Sequence, residues 1–271
     1  MFGDIQRAPV EAVCKCCAGR SVSCGVVDFS RSGADIHAGK KVDPYAGIPI
    51  YFYRCEHCGF TFTPALDKWT PADFSEHIYN ADYVRHDPDY SFARPNANAG
   101  LIAQYFPKLA DHKLLDFGSG MGLLEELLGE KGFQRIRSYD PYSGTADKSA
   151  LTERYRAVFA FEVFEHHVDP RELVKTLASL LDDKGAIFFS TTLVPESAWE
   201  HGIETWWYCI PRNGHISFFS SASLALLASG VGMKAASFSD GLHMLFKGDY
   251  PEWAAGVQHT LCAMPQPAGP F

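Results

Sequence analysis

The sequence predicts an α/β protein in which a parallel, doubly wound sheet follows a small cysteine-rich module. Segments of strand length alternate with helical segments from Lys113 onward, a spacing typical of βαβ units. Six of the eight cysteines fall within the first 58 residues, which marks a separate element at the front of the chain. We therefore divide the chain into a cysteine module (residues 1–68), a helical lid or linker (69–112), the α/β domain (113–250) and a C-terminal tail (251–271).

Composition narrows the class of protein. Hydrophobic residues make up 46% of the chain and charged residues 21%, as in a soluble globular protein. No run of 18 or more apolar residues is present to span a bilayer, and the first 13 residues lack the basic start and apolar core of a secretory signal. We therefore expect a cytoplasmic protein. The formal net charge of −8 disfavours nucleic acid as a partner.

Apolar patterning predicts the elements in order. An alternating stretch over 48–53 predicts a strand that runs into Cys55, and residues 70–112 predict short helices, the clearest over 99–109 and ended near Pro107. The dipeptide Arg94-Pro95 is expected to break a helix. The tail after Trp253 has three prolines among its last seven residues and is expected to be loosely held. The predicted strands are 113–117, 135–139, 157–161, 186–190, 234–238 and 242–247, with helices over 122–129, 170–181 and 221–229 and a turn at 183–185.

A glycine-rich turn, Gly118-Ser119-Gly120-Met121-Gly122, joins the first predicted strand of the α/β domain to its helix. Glycines let the backbone approach a ligand, and the next strand ends at Asp140, where a carboxylate can accept hydrogen bonds from ribose hydroxyls. The G-x-G-x-G spacing departs from the dinucleotide pattern, and Asp116 would repel a pyrophosphate. A cofactor with an amino group and no phosphate fits better.

The run LLDFGSGMG (114–122) resembles motif I of class I methyltransferases that use S-adenosylmethionine (SAM), and Asp140 matches their ribose-binding acid. The run FEVFEHHVDP (161–170) resembles the segment after a strand in the ubiquinone O-methyltransferase-like, or methyltransferase-23-like, branch. The resemblance covers about residues 90–247 and implies a Rossmann-like, seven-stranded sheet. The stretch between Asp140 and Tyr155 is short for that pattern, which leaves the adenine contact unassigned. The SAM-binding residues that the resemblance implies are Tyr83, Arg94, Asp116, Gly118, Ser119, Gly120, Gly122, Asp140, Pro141, Phe161 and Glu162.

The cysteine module contains two C-x-x-C pairs. Four thiolates from two such pairs form a closed tetrahedral site that suits structural zinc. Alternative ligands are Cys16, Cys24 and, less readily, His57. The module, followed by residues 79–83, resembles the N-terminal part of sugar C-methyltransferases, which implies a small acceptor that contains a sugar or is linked to a nucleotide. The predicted zinc ligands are Cys14, Cys17, Cys55 and Cys58.

Methyl transfer is an in-line displacement in which the protein positions the acceptor and removes a proton. His166 is the first candidate for the base, because it follows the strand that leads to Glu162, and His215 is the second. His167 is expected to face solvent or to cap the next helix. As a less favoured alternative, Glu162, Glu165 and His166 resemble the divalent-metal segment of the ubiquinone O-methyltransferases, with His215 as a further ligand.

Aromatic residues follow the predicted strand 186–190, where their faces can stack on a sugar or a planar ring. They are Trp199, Trp206, Trp207 and Tyr208. We therefore predict a SAM-dependent methyltransferase that acts on oxygen or carbon of a small acceptor. The alternatives are an RNA or protein methyltransferase that uses the zinc module for recognition, and a non-catalytic binding or scaffold protein with the SAM fold. The acidic balance disfavours RNA, and the intact glycine turn disfavours the scaffold.

Overall fold

The computed structural model describes residues 9–142 and 147–265. The strands within them are β1 (Glu11–Val13), β2 (Arg20–Asp28), β3 (Pro49–Cys55), β4 (Thr61–Phe62), β5 (Leu114–Phe117), β6 (Ile136–Tyr139), β7 (Tyr155–Ala160), β8 (Leu181–Ser190), β9 (Ser217–Phe218), β10 (Lys234–Ser237), β11 (Leu242–Phe246) and β12 (Thr260–Leu261). The α-helices are α1 (Gly33–Ala38), α2 (Pro71–His77), α3 (Tyr83–His86), α4 (Ala93–Tyr105), α5 (Leu123–Glu130), α6 (Pro170–Ser179), α7 (Glu196–Glu200) and α8 (Ser221–Gly230). Among these helices, none is both long and apolar enough to cross a lipid bilayer.

The larger sheet has seven strands in the order β12-β10-β11-β8-β7-β5-β6, which confirms the predicted Rossmann-like α/β class. The prediction of a parallel, doubly wound sheet rested on the strands up to 186–190, and these strands are the parallel ones. Strands β6, β5, β7 and β8 are parallel, whereas β11, β10 and β12 pair antiparallel. Strands β10 and β11 are joined by a short turn, which allows only antiparallel pairing, because two parallel neighbours need a connection of a dozen residues or more. The sheet is therefore mixed.

One edge of this sheet differs from the sequence expectation, and the other agrees with it. Strand β12 lies in the tail that we expected to be loosely held, where Thr260 pairs with Ser237 and Leu261 with Ala236. Trp253, also in the tail, is buried and packs edge-on against Phe106, with 5.3 Å between ring centroids. At the other edge β6 is the last strand. The described part of the stretch between β6 and β7 forms a turn and one 3₁₀ turn, in agreement with its shortness in the sequence.

Two local predictions also need correction. Arg94-Pro95 does not break a helix, because Pro95 lies in the first turn of α4, where its missing N–H has no intrahelical partner to lose. The expected turn at 183–185 is a bulge inside β8, whose register with β7 changes between Tyr155 and Ala157. Gly185 suits this bulge, since a Cβ atom there would lie 2.8 Å from the carbonyl oxygen of Tyr155.

The smaller sheet joins the cysteine module to the α/β domain. Its strand order is β1-β2-β3-β4-β9, so four strands of the module are continued by a strand from the second half of the chain. Phe60 reinforces the junction, because its ring lies 5.1 Å from that of Phe219, centroid to centroid, and both are fully buried. The proposed boundary at residue 68 therefore separates segments that share one sheet.

Candidate active site

A cavity of about 850 Å³, here called the cofactor cavity, lies at the carboxyl ends of β5, β6 and β7. Parallel strands present their following loops at this edge, which is where α/β proteins bind ligands. All of the SAM-binding residues predicted from the sequence line it, with the exception of Gly122. Gly122 instead begins α5 in the left-handed conformation, with φ of 79°.

At two positions of the glycine turn a side chain would have no space. At Gly118, with φ of 77°, a Cβ atom would lie 2.4 Å from Cγ2 of Val163. At Gly120, with φ of 56°, it would lie 2.5 Å from the hydroxyl oxygen of Tyr90. The left-handed backbone and these close approaches both require glycine. Tyr90, which the sequence analysis did not select, therefore forms part of the cavity wall over the turn.

Asp140 holds the glycine turn in place. Its Oδ2 atom accepts a hydrogen bond from the backbone N–H of Gly120 at 2.8 Å, and Oδ1 accepts one from the N–H of Tyr142 at 2.7 Å. A carboxylate has about four lone-pair positions, so two backbone bonds leave capacity for hydroxyl donors from a ligand. This carboxylate can therefore position the loop and receive a ribose.

Asp116 lies fully buried at the end of β5. Burial, with a smaller contribution from the charge of Asp140, raises the pKa of Asp116 to about 8. Near neutral pH the side chain therefore carries a proton when no cation is bound beside it. A cationic amino group at this position would favour the ionised form.

Arg94 of α4 is held by carboxylates. Its guanidinium contacts Asp87, which also accepts a hydrogen bond from the hydroxyl of Tyr83 at 3.2 Å. A second, longer contact of 3.4 Å joins Nη1 of Arg94 to Oε2 of Glu162. The resemblance placed Arg94 among the SAM-binding residues. In the structure two carboxylates of the chain already engage it.

Glu162 follows β7 in the left-handed conformation, with φ of 53°. Ser190, at the end of β8, fixes it twice: the backbone N–H of Glu162 donates to Oγ at 2.8 Å, and that hydroxyl donates to Oε1 at 2.7 Å. A non-glycine residue in this conformation is strained and needs such support. Ser190 is a site residue that the sequence analysis missed, because its partner lies on a different strand.

The two candidate bases lie together, with 4.8 Å between the ring centroids of His166 and His215. Nδ1 of His215 lies 2.9 Å from the carbonyl oxygen of Tyr208. A carbonyl oxygen only accepts, so Nδ1 of His215 carries the proton and Nε2 keeps its lone pair. Burial lowers the pKa of His215 to about 3, which keeps the ring neutral at physiological pH. Burial, and then the neighbouring His215, lower the pKa of His166 well below its usual value.

Glu165 lies beneath this pair. Its Oε1 accepts a hydrogen bond from the hydroxyl of Tyr208 at 2.7 Å and is 3.8 Å from Nε2 of His166. Burial raises the pKa of Glu165 well above its usual range. Ligand atoms of Glu165, His166 and His215 lie within 4.8 Å of one another. Of the four residues in the alternative metal site of the sequence analysis, Glu165, His166 and His215 thus come together, whereas Glu162 is bonded to Ser190.

The aromatic residues after β8 separate into different environments. Trp206 is buried against Phe218, with 5.2 Å between ring centroids, and Trp199 lies under the guanidinium of Arg54 at 4.1 Å. Trp207 and Tyr208 line a second cavity, which is described below. Trp206 and Trp199 pack against residues of the smaller sheet and so support it.

The cysteine module brings its two predicted pairs together. The Sγ atoms of Cys14 and Cys58 are 3.7 Å apart and those of Cys17 and Cys55 are 3.4 Å apart, and all four lie within 4.8 Å of one another. Zinc–sulfur bonds of about 2.3 Å in a tetrahedron require sulfur separations of about 3.8 Å. Cys16 lies outside this group, although its N–H donates to Sγ of Cys14 at 3.3 Å. The donor set and spacing fit zinc.

The sheet and the residues of the cofactor cavity together indicate the class of protein. A Rossmann-like sheet with a glycine turn after its first strand and an acid after the next has the architecture of class I SAM-dependent methyltransferases. Residues 90–237 match the family Methyltransf_23, described as a methyltransferase domain. Because the match spans more than half of the chain, the protein belongs to this family.

Similar proteins extend the comparison. Ubiquinone biosynthesis O-methyltransferase from Idiomarina loihiensis is 29% identical over 143 residues, 43% of this chain and 59% of that protein. The enzyme of the same name from Erwinia tasmaniensis is 30% identical over 139 residues, 42% of this chain and 57% of that protein. The chain thus spans less than two thirds of these relatives. The SAH-bound crystal structure of CalO1, a methyltransferase in calicheamicin biosynthesis, matches with a TM-score of 0.46 at 11% identity, covering 69% of this chain and 64% of that one.

Proposed function

We propose that the protein transfers the methyl group of SAM to a hydroxyl oxygen of a small molecule. The observation that carries this proposal is the cofactor cavity, where the glycine turn and Asp140 adjoin the His166–His215 pair. Membership of the methyltransferase family and the similarity to proteins named O-methyltransferases support it. The sequence also left transfer to carbon open.

Each part of the cavity has a role in binding. We assign the ribose hydroxyls to Asp140, since that carboxylate keeps free acceptor capacity. We assign the amino group of SAM to Asp116. The ionised form of this buried carboxyl group is favourable only beside a cation. The sulfonium of SAM supplies a methyl carbon with a good leaving group. Phe161 and Pro141 contribute apolar surface to the same cavity.

The base is the second assignment. The acceptor oxygen attacks the methyl carbon as the carbon–sulfur bond breaks, and the hydroxyl proton passes to a nitrogen of the protein. We propose Nε2 of His215, because the Tyr208 carbonyl fixes the tautomer in which this atom has a lone pair. His166 lines the cofactor cavity and contacts His215, so it positions the base and closes the site. The sequence ranked these two histidines in the opposite order.

Titration with SAM tests this function and the role of Asp116 together. We expect binding, with up to about one proton released per SAM at pH 7. The free carboxyl has a pKa of about 8, so it is mostly protonated there, and a bound ammonium group lowers that pKa. Calorimetry in buffers of different ionisation enthalpy measures the release, which should vanish at pH 9.

The matched control is Asp116→Asn, which should bind SAM without proton release. No binding at millimolar SAM would contradict the proposed function. Binding with equal proton release in wild type and Asp116→Asn would contradict only the assignment of the amino group.

We further propose that Cys14, Cys17, Cys55 and Cys58 hold one structural zinc ion. The cysteine cluster lies beside the pair of strands β4 and β9, and His215 comes just before β9 in the chain. Cys58 is connected to the far side of β9, since its carbonyl oxygen accepts a hydrogen bond from the hydroxyl of Ser220. Thr61 of β4 pairs with Phe218 of β9, three residues after His215. The metal would therefore stabilise the segment that carries the proposed base.

For the zinc site, we expect about one equivalent of zinc per chain by elemental analysis. Cys58→Ser should lose most of the metal and lower Tm by about 5 °C or more, because zinc binding contributes directly to folding. Cys24→Ser is the matched control and should keep both metal and Tm, since Cys24 lies outside the cluster. Less than half an equivalent in the wild-type protein would rule out the site.

The remaining sequence predictions stay predictions. They include the four-part division of the chain, the cytoplasmic location and the exclusion of nucleic acid as a partner. The second candidate function, a metal-assisted transfer at Glu165, His166 and His215, is favoured by one observation: within the described residues, Oε2 of Glu165 and Nδ1 of His166 are buried and have no hydrogen-bond partner. A divalent ion there would lower the pKa of the acceptor hydroxyl.

A further inference from the structure

A second cavity of about 340 Å³, here called the side cavity, adjoins the cofactor cavity. Arg94 and Glu162 line both cavities and so form the wall between them. The side cavity is bounded on one side by α1 and the turn after α3, and on the other by the loop that carries Trp207 and His215. Its volume is at the small end of the range for ligand pockets. A single ring with its substituents would fit such a space.

We propose that the side cavity binds the methyl acceptor, and that this acceptor is an uncharged or cationic polyhydroxylated ring, such as a sugar or an amino sugar, without a phosphate group. This inference rests on the proposed function, because it names the acceptor class for that same site.

The charges of the lining carry the first part of the argument. The side cavity is lined by one guanidinium, that of Arg94, and by three carboxylates: Asp87, Asp89 and Glu162. Arg94 is already held by two of these carboxylates, so it is not free to receive an anion. A phosphate entering the cavity would be repelled, whereas an uncharged hydroxyl or an ammonium group would not.

Hydrogen-bonding groups carry the second part. His86 lines the side cavity and is 2% exposed, yet its buried Nδ1 has no hydrogen-bond partner within the described structure. The nearest carboxylate oxygen, Oδ2 of Asp43, is 3.5 Å away. Buried polar atoms of this kind are rare and require an explanation, and a hydroxyl group bound in the side cavity would provide one. Trp207, which is 51% exposed at the same cavity, offers an aromatic face of the type that stacks on sugar rings.

The position of the proposed base carries the third part. His215 lines the side cavity and His166 lines the cofactor cavity, and their rings are in contact. A hydroxyl in the side cavity is therefore beside the base, and the wall separates it from the methyl donor. The wall is weakest at the 3.4 Å contact between Arg94 and Glu162, since hydrogen bonds of that length contribute little. Glu162 stays fixed by Ser190, so opening of the wall requires Arg94 to leave Glu162 while it keeps its contact with Asp87.

The test is ligand binding to the SAH-saturated protein, with methyl β-glucoside, glucosamine, glucose 6-phosphate and catechol as probes. Calorimetry or saturation-transfer NMR should show binding of the glucoside and the amino sugar, with glucose 6-phosphate at least about tenfold weaker. Ile36→Trp fills the side cavity from α1 and should weaken sugar binding at least about tenfold, while the Kd for SAH stays within about twofold. Ile48→Trp, at an exposed position that lines neither cavity, is the matched control and should change neither affinity.

Several outcomes would overturn the inference. Glucose 6-phosphate binding as tightly as the glucoside would refute the charge argument, and sugar binding unaffected by Ile36→Trp would refute the location. Binding of catechol without binding of either sugar would refute the acceptor class. In each of these cases SAH still binds, so the proposed function stands. If the wild-type protein did not bind SAH, the proposed function itself would be refuted.

Discussion

Replacing His215 by asparagine is expected to lower kcat for methyl transfer by about 10²- to 10⁴-fold, the usual contribution of a general base. The asparagine amide can still donate to the carbonyl oxygen of Tyr208, so the loop should keep its shape while the nitrogen that accepts the proton is lost. Initial rates measured as SAH release at saturating SAM would record the effect. The Kd for SAM should change little, because His215 does not line the cofactor cavity.

Two controls separate a base from a metal ligand. His166→Asn should lower kcat by a smaller factor, since His166 is assigned to positioning, and the wild-type enzyme should keep its rate after EDTA treatment. Loss of activity on chelation that Mg²⁺ restores would favour the group Glu165, His166 and His215 as a metal site. A kcat for His215→Asn within about threefold of wild type would remove His215 from the mechanism.

Replacing Asp140 by alanine is expected to raise the Kd for SAM by about 100-fold or more. The substitution removes the acceptor for the ribose hydroxyls and frees the N–H groups of Gly120 and Tyr142, which together accounts for about 3 kcal/mol. Calorimetry with SAM and SAH measures it directly.

The matched control for Asp140 is Asp183→Ala, an exposed aspartate in the β8 bulge at the amino end of that strand, which should leave the Kd unchanged. Circular dichroism would confirm that both variants fold. A Kd for Asp140→Ala within about fivefold of wild type would show that ribose is bound elsewhere.

The parts of the site that the sequence predicted are local. The glycine turn, Asp116 two residues before it and Asp140 at the end of the next strand are fixed by a strand–turn–helix unit, whose geometry depends on neighbours in the chain. The two C-x-x-C pairs are local in the same sense, because each presents both thiols from one short turn. In the structure Asp116, Gly118, Gly120 and Asp140 line one cavity and the four thiols form one cluster, whereas Gly122 lies outside the cavity lining.

The parts that the sequence did not predict join distant segments. Strand β9 extends the sheet of the cysteine module, although about 155 residues separate it from β4. Ser190 fixes Glu162 from a neighbouring strand, and Asp87 occupies the arginine that was assigned to the cofactor. Periodicity and turn chemistry do not encode which distant surfaces meet, because that choice depends on how whole elements pack.

The fold also has parts that the sequence predicts and parts that it does not. Alternating strands and helices determined the α/β class and the cofactor edge, since parallel strands joined by helices place their following loops together. Tertiary structure alone decided that the sheet is mixed, that the tail adds an edge strand, and that the carbonyl oxygen of Tyr208 fixes the tautomer of His215. Each of these depends on a hydrogen bond between residues whose separation in the sequence carries no pattern.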